Sequence, residues 1–377
     1  SLAMLHVLVR AAWSVRAVTV DHGLRPEAAA EARMVAQICA ALGVEHDTLR
    51  WDHGAIAGNV QDQARRARYG LIADWARAKG ITHVAVGHTA DDNAETVLLG
   101  LAREAGLDGL CGMRPRWQEA GLEWGRPFLA QTRADLRRYL GARGIGWIDD
   151  PSNEDDHYTR VRARKVLAAL APLGITSAGL NAVAGHLASV RASMDWALAG
   201  AVAQIVRTEA GEVIVDRAGF DALPAEFARR LVIAALRWVS GAGYAPRAAA
   251  VQRVQEAVQA GRDCTLWGCR IRATGQQVRI YREARAVVGV VCDTGQLWDG
   301  RWRLEGPHAQ GLQVRALGAA GLLLCKEWRK IGVSRGAALA SPAIWRGNVL
   351  ICAPLAGFGG DWAARIVTSF HQFVVSH

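Results

Sequence analysis

The feature that most constrains the fold of this sequence lies at residues 84–96, where an apolar run ends at a Gly-His-Thr turn and an acidic segment follows. Beyond the turn, apolar side chains recur at the i, i+3, i+4 and i+7 positions of one helix face, at Ala94, Val97, Leu98 and Leu101. This spacing predicts a helix with one buried stripe, following directly on a strand. In open α/β sheets, ligands bind at such places, outside the carboxyl ends of the strands.

Three carboxylates gather in the first turns of this predicted helix. Asp91, Asp92 and Glu95 lie off the apolar stripe, and spacings of three and four residues place the two aspartates beside the glutamate. One interpretation is structural, because Thr89 and Asp92 form a T-x-x-D capping box and acidic side chains suit the positive end of a helix dipole. The other interpretation is a ligand site, and the segment alone leaves both open.

Strands and helices alternate along residues 1–150. We predict a helix from the first residue, then strands at 15–20, 44–49 and 82–86, with helices at 27–42 and 59–77 between them. Residues 126–129, a helix at 134–142 and residues 146–148 complete the predicted sheet. This alternation is typical of an α/β fold with right-handed crossovers, and it predicts a doubly wound parallel sheet.

The remainder of the chain changes character twice. After the turn-forming stretch at 149–153 we predict a basic helix, a long helical stretch at 177–209, and helices at 225–240 and 247–260. Short strands are predicted at 265–267, 271–273 and 278–281, and the tail is rich in glycine and β-formers. We therefore expect an α/β domain at 1–165, a mainly helical domain at 166–285 and a small α+β domain at 286–377.

Composition narrows the class of protein. A formal charge of +10, from 45 Lys plus Arg against 35 Asp plus Glu, favours polyanionic partners. No apolar run approaches the ~18 residues of a membrane span, and the first residues do not resemble an export signal. The seven cysteines are scattered without a C-x-x-C pair, which favours free thiols over a zinc site. We expect a cytoplasmic protein with no membrane association.

Five motifs follow one another in a fixed order along the chain: Val20-Asp21-His22-Gly23-Leu24-Arg25, Gly87-His88-Thr89-Ala90-Asp91-Asp92-Asn93-Ala94-Glu95-Thr96, Gly106-Leu107-Asp108-Gly109-Leu110-Cys111-Gly112-Met113, Asp149-Asp150-Pro151-Ser152-Asn153 and Arg160-x-Arg162-x-Arg164. Together they resemble the tRNA(Ile)-lysidine synthetase family of the N-type ATP pyrophosphatase (PP-loop) superfamily. The resemblance is strong over residues 1–170 and weaker at 265–269 and in the tail. It implies an adenine nucleotide alpha hydrolase-like fold for the first domain.

The resemblance also implies a reaction. ATP with Mg²⁺ adenylates the carbonyl oxygen at position 2 of the wobble cytidine in a tRNA(Ile) with a CAU anticodon. An amine of free L-lysine then displaces AMP. The helical and C-terminal domains are expected to recognise the tRNA, and the protein is expected to be a monomer or a homodimer.

Following the resemblance, Asp92 and Glu95 are candidates for holding lysine, with Asp91 as their support or as a magnesium contact. His88 is a candidate for a position beside the reacting phosphate, although a histidine at a strand end also serves structural roles. Arg160, Arg162 and Arg164 are assigned to tRNA or pyrophosphate. Because they alternate, a helix spreads them over more than one face.

The nucleotide is expected at Ser1, Asp21, His22, Arg25 and Gly87, and Arg103 is a further candidate for phosphate. An Asp-Gly turn is the structural alternative at the first of these strand ends. At Arg103 the chain departs from the family, which usually has Arg-Gly-Ser-Gly where this sequence reads Arg103-Glu104-Ala105-Gly106.

The superfamily's Ser-Gly-Gly-x-Asp-Ser phosphate loop does not occur in this sequence, and Ser1-Leu2-Ala3-Met4-Leu5-His6 resembles the end of that motif entering its helix. Two explanations stay open: an N-terminally truncated sequence of an active enzyme, or a tRNA-binding protein without ATP chemistry. A third alternative is another tRNA-modifying member such as a thiolase. Those members that use paired cysteines need them near this site, where the sequence places none.

Overall fold

The computed structural model describes residues 1–24, 27–54, 58, 60–147, 159–243 and 246–376. These residues form two compact units, Ser1–Arg191 and Ala192–His377. The division into domains at 1–165, 166–285 and 286–377 stays a prediction.

The first unit alternates helices with strands, as predicted. In chain order its elements are α1 Leu2–Arg10, β1 Arg16–Asp21, α2 Ala28–Ala41, β2 Glu45–Arg50, α3 Val60–Ala78, β3 His83–Ala85, α4 Ala90–Leu101, α5 Leu107–Leu110, β4 Arg116–Glu119, β5 Leu122–Gly125, α6 Arg133–Gly141, α7 Thr159–Leu170 and α8 Ser177–Ile205, the last of which crosses the boundary between the units.

Parallel pairing dominates, with one antiparallel edge that the sequence did not predict. β1 pairs in parallel with β2, and β3 pairs in parallel with β5. β4 runs antiparallel to β5 because Ala120 and Gly121, both with positive φ, form a tight hairpin turn between them.

Residues 126–129, predicted to complete the sheet, form turns instead. Pro127 has no N–H to donate to a strand ladder, and the N–H of Arg126 donates to the carbonyl of Pro115 at 2.8 Å. Residues 146 and 147 are also not in a strand, and residue 148 lies outside the described residues.

The core between α3 and the strands explains how the strand ends are held. Ile72, Ala73 and Ala76 of α3 are buried against Val86 and the fully buried Trp124 of β5. Burial of a large apolar side chain of this kind contributes on the order of 1.5–3 kcal/mol. The ends of the strands that precede the candidate site are therefore fixed by packing on one helix face.

The glycine-rich motif at 106–113 packs this region closely. A Cβ on Gly100 of α4 would lie 3.0 Å from the carbonyl oxygen of Gly109, so the two backbones touch. Gly112 has a φ of 67°, and a Cβ there would collide with the side-chain oxygen of Asn93. The glycines of this motif thus allow α4 and the following loop to pack closely.

The second unit is α+β. Its elements are β6 Val206–Glu209, β7 Glu212–Asp216, α9 Arg217–Asp221, α10 Ala225–Ser240, α11 Ala248–Gln259, β8 Cys264–Leu266, β9 Cys269–Ala273, β10 Gln277–Arg282, β11 Cys292–Asp293, β12 Trp302–Glu305, β13 Leu312–Ala316, α12 Gly318–Leu324, α13 Arg335–Ala340, β14 Pro342–Arg346, β15 Val349–Cys352, β16 Ala363–Ile366 and α14 Phe370–Ser376.

Antiparallel sheets organise this unit. One sheet has the order β6-β7-β10-β9-β8 and packs its apolar face on α10 and α11, a second has the order β11-β13-β14-β15, and β12 pairs with β16. The strands predicted near 265, 271 and 278 are confirmed. The predicted helix over 177–209 is wrong at its end, because residues 206–209 turn back at Ala210-Gly211 and pair with β7.

Over the described ranges, no single helix is long and apolar enough to cross a membrane; one bent pair, Thr159–Leu173 with Ser177–Ile205, passes the test of length and composition together. All seven cysteines are free thiols.

Candidate active site

The candidate site lies where the first turns of α4 and α6 face each other. The N–H of Ala90 donates to the carbonyl of Gln131 at 2.8 Å, and the N–H of Arg133 donates to Asp91 Oδ2 at 2.7 Å. Each helix begins with a threonine N-cap and a capping box, Thr89–Asp92 and Thr132–Asp135. Two helix N-termini therefore direct their partial positive charges at the three carboxylates of α4.

Asp92 uses its two oxygens for different purposes. Oδ2 accepts hydrogen bonds from the N–H of Thr89 at 2.8 Å and from its hydroxyl at 2.7 Å, while Oδ1 accepts from Nη2 of Arg133. Burial opposes ionisation of Asp92, but the charge of Arg133 and the bonds from Thr89 outweigh it and hold the pKa below its ordinary value. The structural and the functional interpretations of Asp92 thus apply to the same carboxylate.

Glu95 is the most deeply buried acid of the site, with only 1% of its surface exposed. Its Oε1 accepts from Nη2 of Arg133 at 3.1 Å and from Nε of Arg164 at 3.0 Å. Within the described part of the chain, its Oε2 is buried and has no hydrogen-bond partner. An acceptor left open at such depth is costly unless a ligand fills it.

Asp91 is tied into the fold by both of its oxygens. Oδ2 binds the backbone of Arg133, and Oδ1 accepts from the hydroxyl of Ser177 at 3.4 Å. A magnesium contact at Asp91 would exchange one of these bonds and stays a prediction. Among the residues described, no group of three or more His, Cys, Asp or Glu side chains is arranged to hold a metal ion.

His88 is held as a neutral imidazole. Its Nδ1 accepts from Nε of Arg126 at 3.0 Å, so its own proton is assigned to Nε2. Burial, together with the positive charge of Arg126, lowers the pKa of His88 to about 4. Arg126 is itself 8% exposed, lies 4.0 Å from the ring centre of Trp117 and donates to the carbonyl of Arg114 at 2.6 Å.

Further arginines surround the histidine. The charges of Arg160 on α7 and Arg65 on α3 both act on His88 to lower its pKa. Arg164 reaches Glu95 from one face of α7, whereas Arg162 is exposed and lies 3.4 Å from the hydroxyl of Thr159. Among the three alternating arginines of α7, Arg164 therefore contacts the site, Arg160 acts on His88 through its charge, and Arg162 contacts Thr159 of its own helix.

The strand ends assigned to nucleotide form a second cluster in the same unit. Asp21 Oδ1 accepts from the N–H of Gly23 at 2.9 Å, which is the Asp-Gly turn. The ring of His22 stands edge-on to Trp51 at 6.1 Å, burial lowers its pKa, and its buried Nδ1 has no partner among the described residues. Ser1 lies against Gly87, where a Cβ would be 3.0 Å from Ser1 Cα.

One further residue with a predicted site role does not lie in this group. Arg103 is exposed and follows the last turn of α4, and a rise of 1.5 Å per residue puts it roughly 16 Å along the helix from Asp92. The structure therefore does not bring Arg103 to the carboxylates. Arg25 and the Asp149–Asn153 motif lie outside the described residues.

Comparison with known proteins identifies the family to which the chain belongs. The PP-loop domain family matches residues 1–170. The tRNA(Ile)-lysidine synthase of Ruegeria pomeroyi is 45% identical over 380 residues, which cover all of this chain and 91% of that protein. This chain belongs to the tRNA(Ile)-lysidine synthase family.

A second lysidine synthase shares less of this sequence. The Rhizobium meliloti enzyme is 34% identical over 352 residues, covering 87% of this chain and 74% of its own length. Among solved structures, the U34-tRNA thiolase NcsA from Methanococcus maripaludis with its [4Fe-4S] cluster has a TM-score of 0.44 at 13% identity, over 50% of this chain and 68% of its own. Lysidine synthases are ATP-dependent ligases, and the PP-loop domain binds ATP.

Sequence reasoning did not identify three side chains of this lysidine synthase site. Arg133 joins Asp92 to Glu95, and Arg126 holds His88, across sequence separations of 38 to 41 residues. Asn93 ties α4 to the loop, because its Oδ1 accepts from the N–H of Met113 at 2.6 Å. A signal that could have identified Arg133 is its place in Thr132-x-x-Asp135, a second capping box of the kind that opens α4.

Proposed function

We propose that this protein joins L-lysine to the wobble cytidine of tRNA(Ile) with a CAU anticodon, using ATP, in the cytoplasm. The observation that carries the proposal is Glu95, a carboxylate only 1% exposed with an open oxygen, placed beside arginines in a PP-loop domain of a lysidine synthase. A buried acid with one unfilled acceptor fits an ammonium ligand better than a neutral one.

The first step is adenylation of the base. The carbonyl oxygen at position 2 of the cytidine attacks the α-phosphorus of ATP, and the bond to the β-phosphate oxygen breaks. Negative charge then builds up on pyrophosphate, and a cluster of arginines neutralises such charge without reorganisation. We assign this role to two arginines of α7: Arg160, whose charge acts on His88, and Arg164, which contacts Glu95.

We assign magnesium to this site as a companion of ATP. Mg²⁺ prefers oxygen ligands, and it commonly binds through one or two carboxylates together with substrate phosphates. Asp91 is the carboxylate that we assign to it. When bound, the ion neutralises charge on the phosphates.

The second step joins lysine to the activated base. One neutral amine of lysine attacks carbon 2, the bond between carbon 2 and the oxygen that it shares with AMP breaks, AMP leaves with that oxygen, and the new C–N ammonium releases a proton to water. The other amine stays an ammonium. We assign the holding of lysine to Asp92 and Glu95, because both are ionisable acids at one turn's spacing and one Glu95 oxygen is open.

His88 is assigned the role of a neutral hydrogen-bond donor. A histidine with a pKa near 4 carries no charge at neutral pH, and Nδ1 is occupied by Arg126. Nε2–H is left to donate to a phosphate or to the base oxygen. Ser1, Gly87, Asp21 and His22 are assigned to ATP, and the residues after 166 are assigned to the body of the tRNA, with the protein acting as a monomer or a homodimer.

The test is transfer of labelled L-lysine to tRNA(Ile) transcripts with CAU or GAU anticodons, in the presence of ATP. We expect label only in the CAU transcript, with release of AMP and pyrophosphate. Glu95→Gln keeps the shape of the side chain but removes its charge, so we expect a loss of roughly 30- to 1,000-fold in kcat/KM for lysine. Glu104→Gln, an exposed position past the end of the same helix, is the matched control and should match the wild type.

Two outcomes would contradict the proposal. Bound tRNA without any label, from protein shown to be folded by circular dichroism, would favour a tRNA-binding protein without ligase activity. Equal label in both transcripts would remove the assignment to the CAU anticodon. Normal turnover in Glu95→Gln would leave the reaction in place and remove only the role given to Glu95.

A further inference from the structure

Arg133 occupies the carboxylates that are assigned to lysine. Through Nη2 alone it binds Asp92 Oδ1 and Glu95 Oε1, the latter at 3.1 Å. Its side chain is 32% exposed, whereas Glu95 is 1% exposed and also contacts the partly exposed Arg164. A cation that takes the place of Arg133 on Glu95 has to displace this contact.

Two nitrogens of the Arg133 guanidinium are unused. A guanidinium carries five N–H donors, and in Arg133 the contacts to Asp92 and Glu95 both involve Nη2. Toward the described residues, Nε and Nη1 of Arg133 make no hydrogen bond. The two forks that bind a carboxylate bidentately, Nε with Nη2 and Nη1 with Nη2, share Nη2, so release of one acid by Nη2 completes a fork for another carboxylate.

The net charge of the cluster favours binding of one more cation. Asp91, Asp92 and Glu95 contribute −3, while Arg133 and Arg164 contribute +2, which leaves −1. A lysine with one neutral, attacking amine carries one ammonium and one carboxylate. Its ammonium matches Glu95, which also has an open oxygen, and its carboxylate matches the fork of Arg133 that is completed when Nη2 leaves Glu95.

We propose that Arg133 is the specificity-determining residue that recognises the α-carboxylate of lysine. In the free protein its guanidinium neutralises Asp92 and Glu95. When lysine binds, the ammonium takes the place at Glu95, and Arg133 turns its fork to the carboxylate of the substrate while staying on Asp92. The inference rests on the proposed function, and it explains why a site for a diamine would select an amino acid.

The test compares L-lysine with cadaverine, the diamine that lacks the carboxylate. Binding of labelled L-lysine to the full chain is measured by equilibrium dialysis, and cadaverine is the competitor. A bidentate, charge-assisted contact corresponds to roughly a 10- to 100-fold preference for lysine in the wild type. In Arg133→Met we expect this preference to fall to less than about threefold, because lysine binding weakens while cadaverine binding is kept or strengthened.

Controls separate recognition from folding. Arg138→Met, on the same helix and 77% exposed, should keep the preference of the wild type. Arg133→Lys keeps the positive charge but lacks the bidentate guanidinium. Its preference for lysine over cadaverine should therefore lie between those of the wild type and Arg133→Met. Thermal unfolding of each variant shows whether the site is still formed.

The outcomes distinguish this inference from the proposed function. Equal weakening of both ligands in a folded Arg133→Met, or an unchanged preference, would overturn the role of Arg133 while lysine remained the substrate. Failure of the wild-type protein to bind lysine would overturn the lysine assignment itself. A drop of the preference in Arg133→Met with wild-type binding by Arg138→Met would support the inference.

Discussion

His88 gives the site a measurable pH signature. Its imidazole has a pKa of about 4 in the folded protein because burial and Arg126 both disfavour its charge, whereas an unperturbed histidine titrates near 6.5. Above pH 6.5 the imidazole is neutral in both states and contributes nothing to the pH dependence. Between pH 6.5 and 4 the unfolded chain takes up a proton that the folded protein does not, so stability falls as the pH falls.

We therefore expect His88→Gln to flatten the pH dependence of stability in this window. The difference between the wild type and the variant should be on the order of 2–3 kcal/mol between pH 7 and pH 4. Urea unfolding at several pH values measures it, and NMR titration of the ring gives the pKa directly. In Arg126→Met the histidine pKa should rise toward 6.5, and a midpoint that stays near 4 would show that burial alone accounts for the shift.

The two capping boxes at α4 and α6 allow helix stability to be separated from function. Asp92 and Asp135 accept the same pair of bonds from their threonines, but only Asp92 also holds Arg133. Replacing either by Ala should lower the free energy of unfolding through loss of the cap, by about 0.5–2 kcal/mol at Asp92.

Only Asp92→Ala should also weaken lysine binding, by roughly tenfold or more. Equilibrium dialysis and thermal unfolding on the same samples check both parts. Equal loss of lysine binding in Asp135→Ala would show that Asp92 acts only through the start of its helix.

Patterns along the sequence predicted most helices and strands, whereas contacts between residues distant in sequence determine the elements that were missed. The helix α4 and its box follow from residues 89–101, because the cap and the apolar stripe are both set by spacing along the chain. The hairpin β4–β5 and the strand β6 depend on tight turns at Ala120-Gly121 and Ala210-Gly211, and on the partner strands that these turns supply. Strand preference is set by such partners more than by the residues themselves.

The site was predicted in part for the same reason. Its acids stand together in sequence, and the predictions for Asp91, Asp92 and Glu95 named the residues that the structure gathers. Arg126 and Arg133 come from another segment, and no local spacing connects them with α4. The role of Arg133 depends on the approach of two helix N-termini, which only tertiary packing determines.

The charge of the whole molecule predicts how it responds to salt. With a formal charge of +10, the protein should bind tRNA with an affinity that falls linearly with the logarithm of salt concentration. Arg65→Ala and Arg68→Ala should each lower the magnitude of the slope by about 1 if these side chains contact phosphate.

Arg77→Ala is the control for this effect, because Arg77 on the same helix already pairs with Asp74. Filter binding at several salt concentrations measures the slopes. A slope unchanged in all three variants would place the phosphate contacts elsewhere in the protein.

The ion pair between Glu95 and Arg133 also has a kinetic consequence. A ligand that must replace an internal ion pair cannot bind at every encounter, since the pair has to open first. The observed rate of lysine association should therefore level off as lysine concentration increases, at the rate at which the guanidinium leaves Glu95. In Arg133→Met this plateau should disappear, and the observed rate should keep rising with concentration. Dissociation of Arg133 from Glu95 would then limit the rate of lysine binding, and the strength of its ion pairs with the two acids would set that rate.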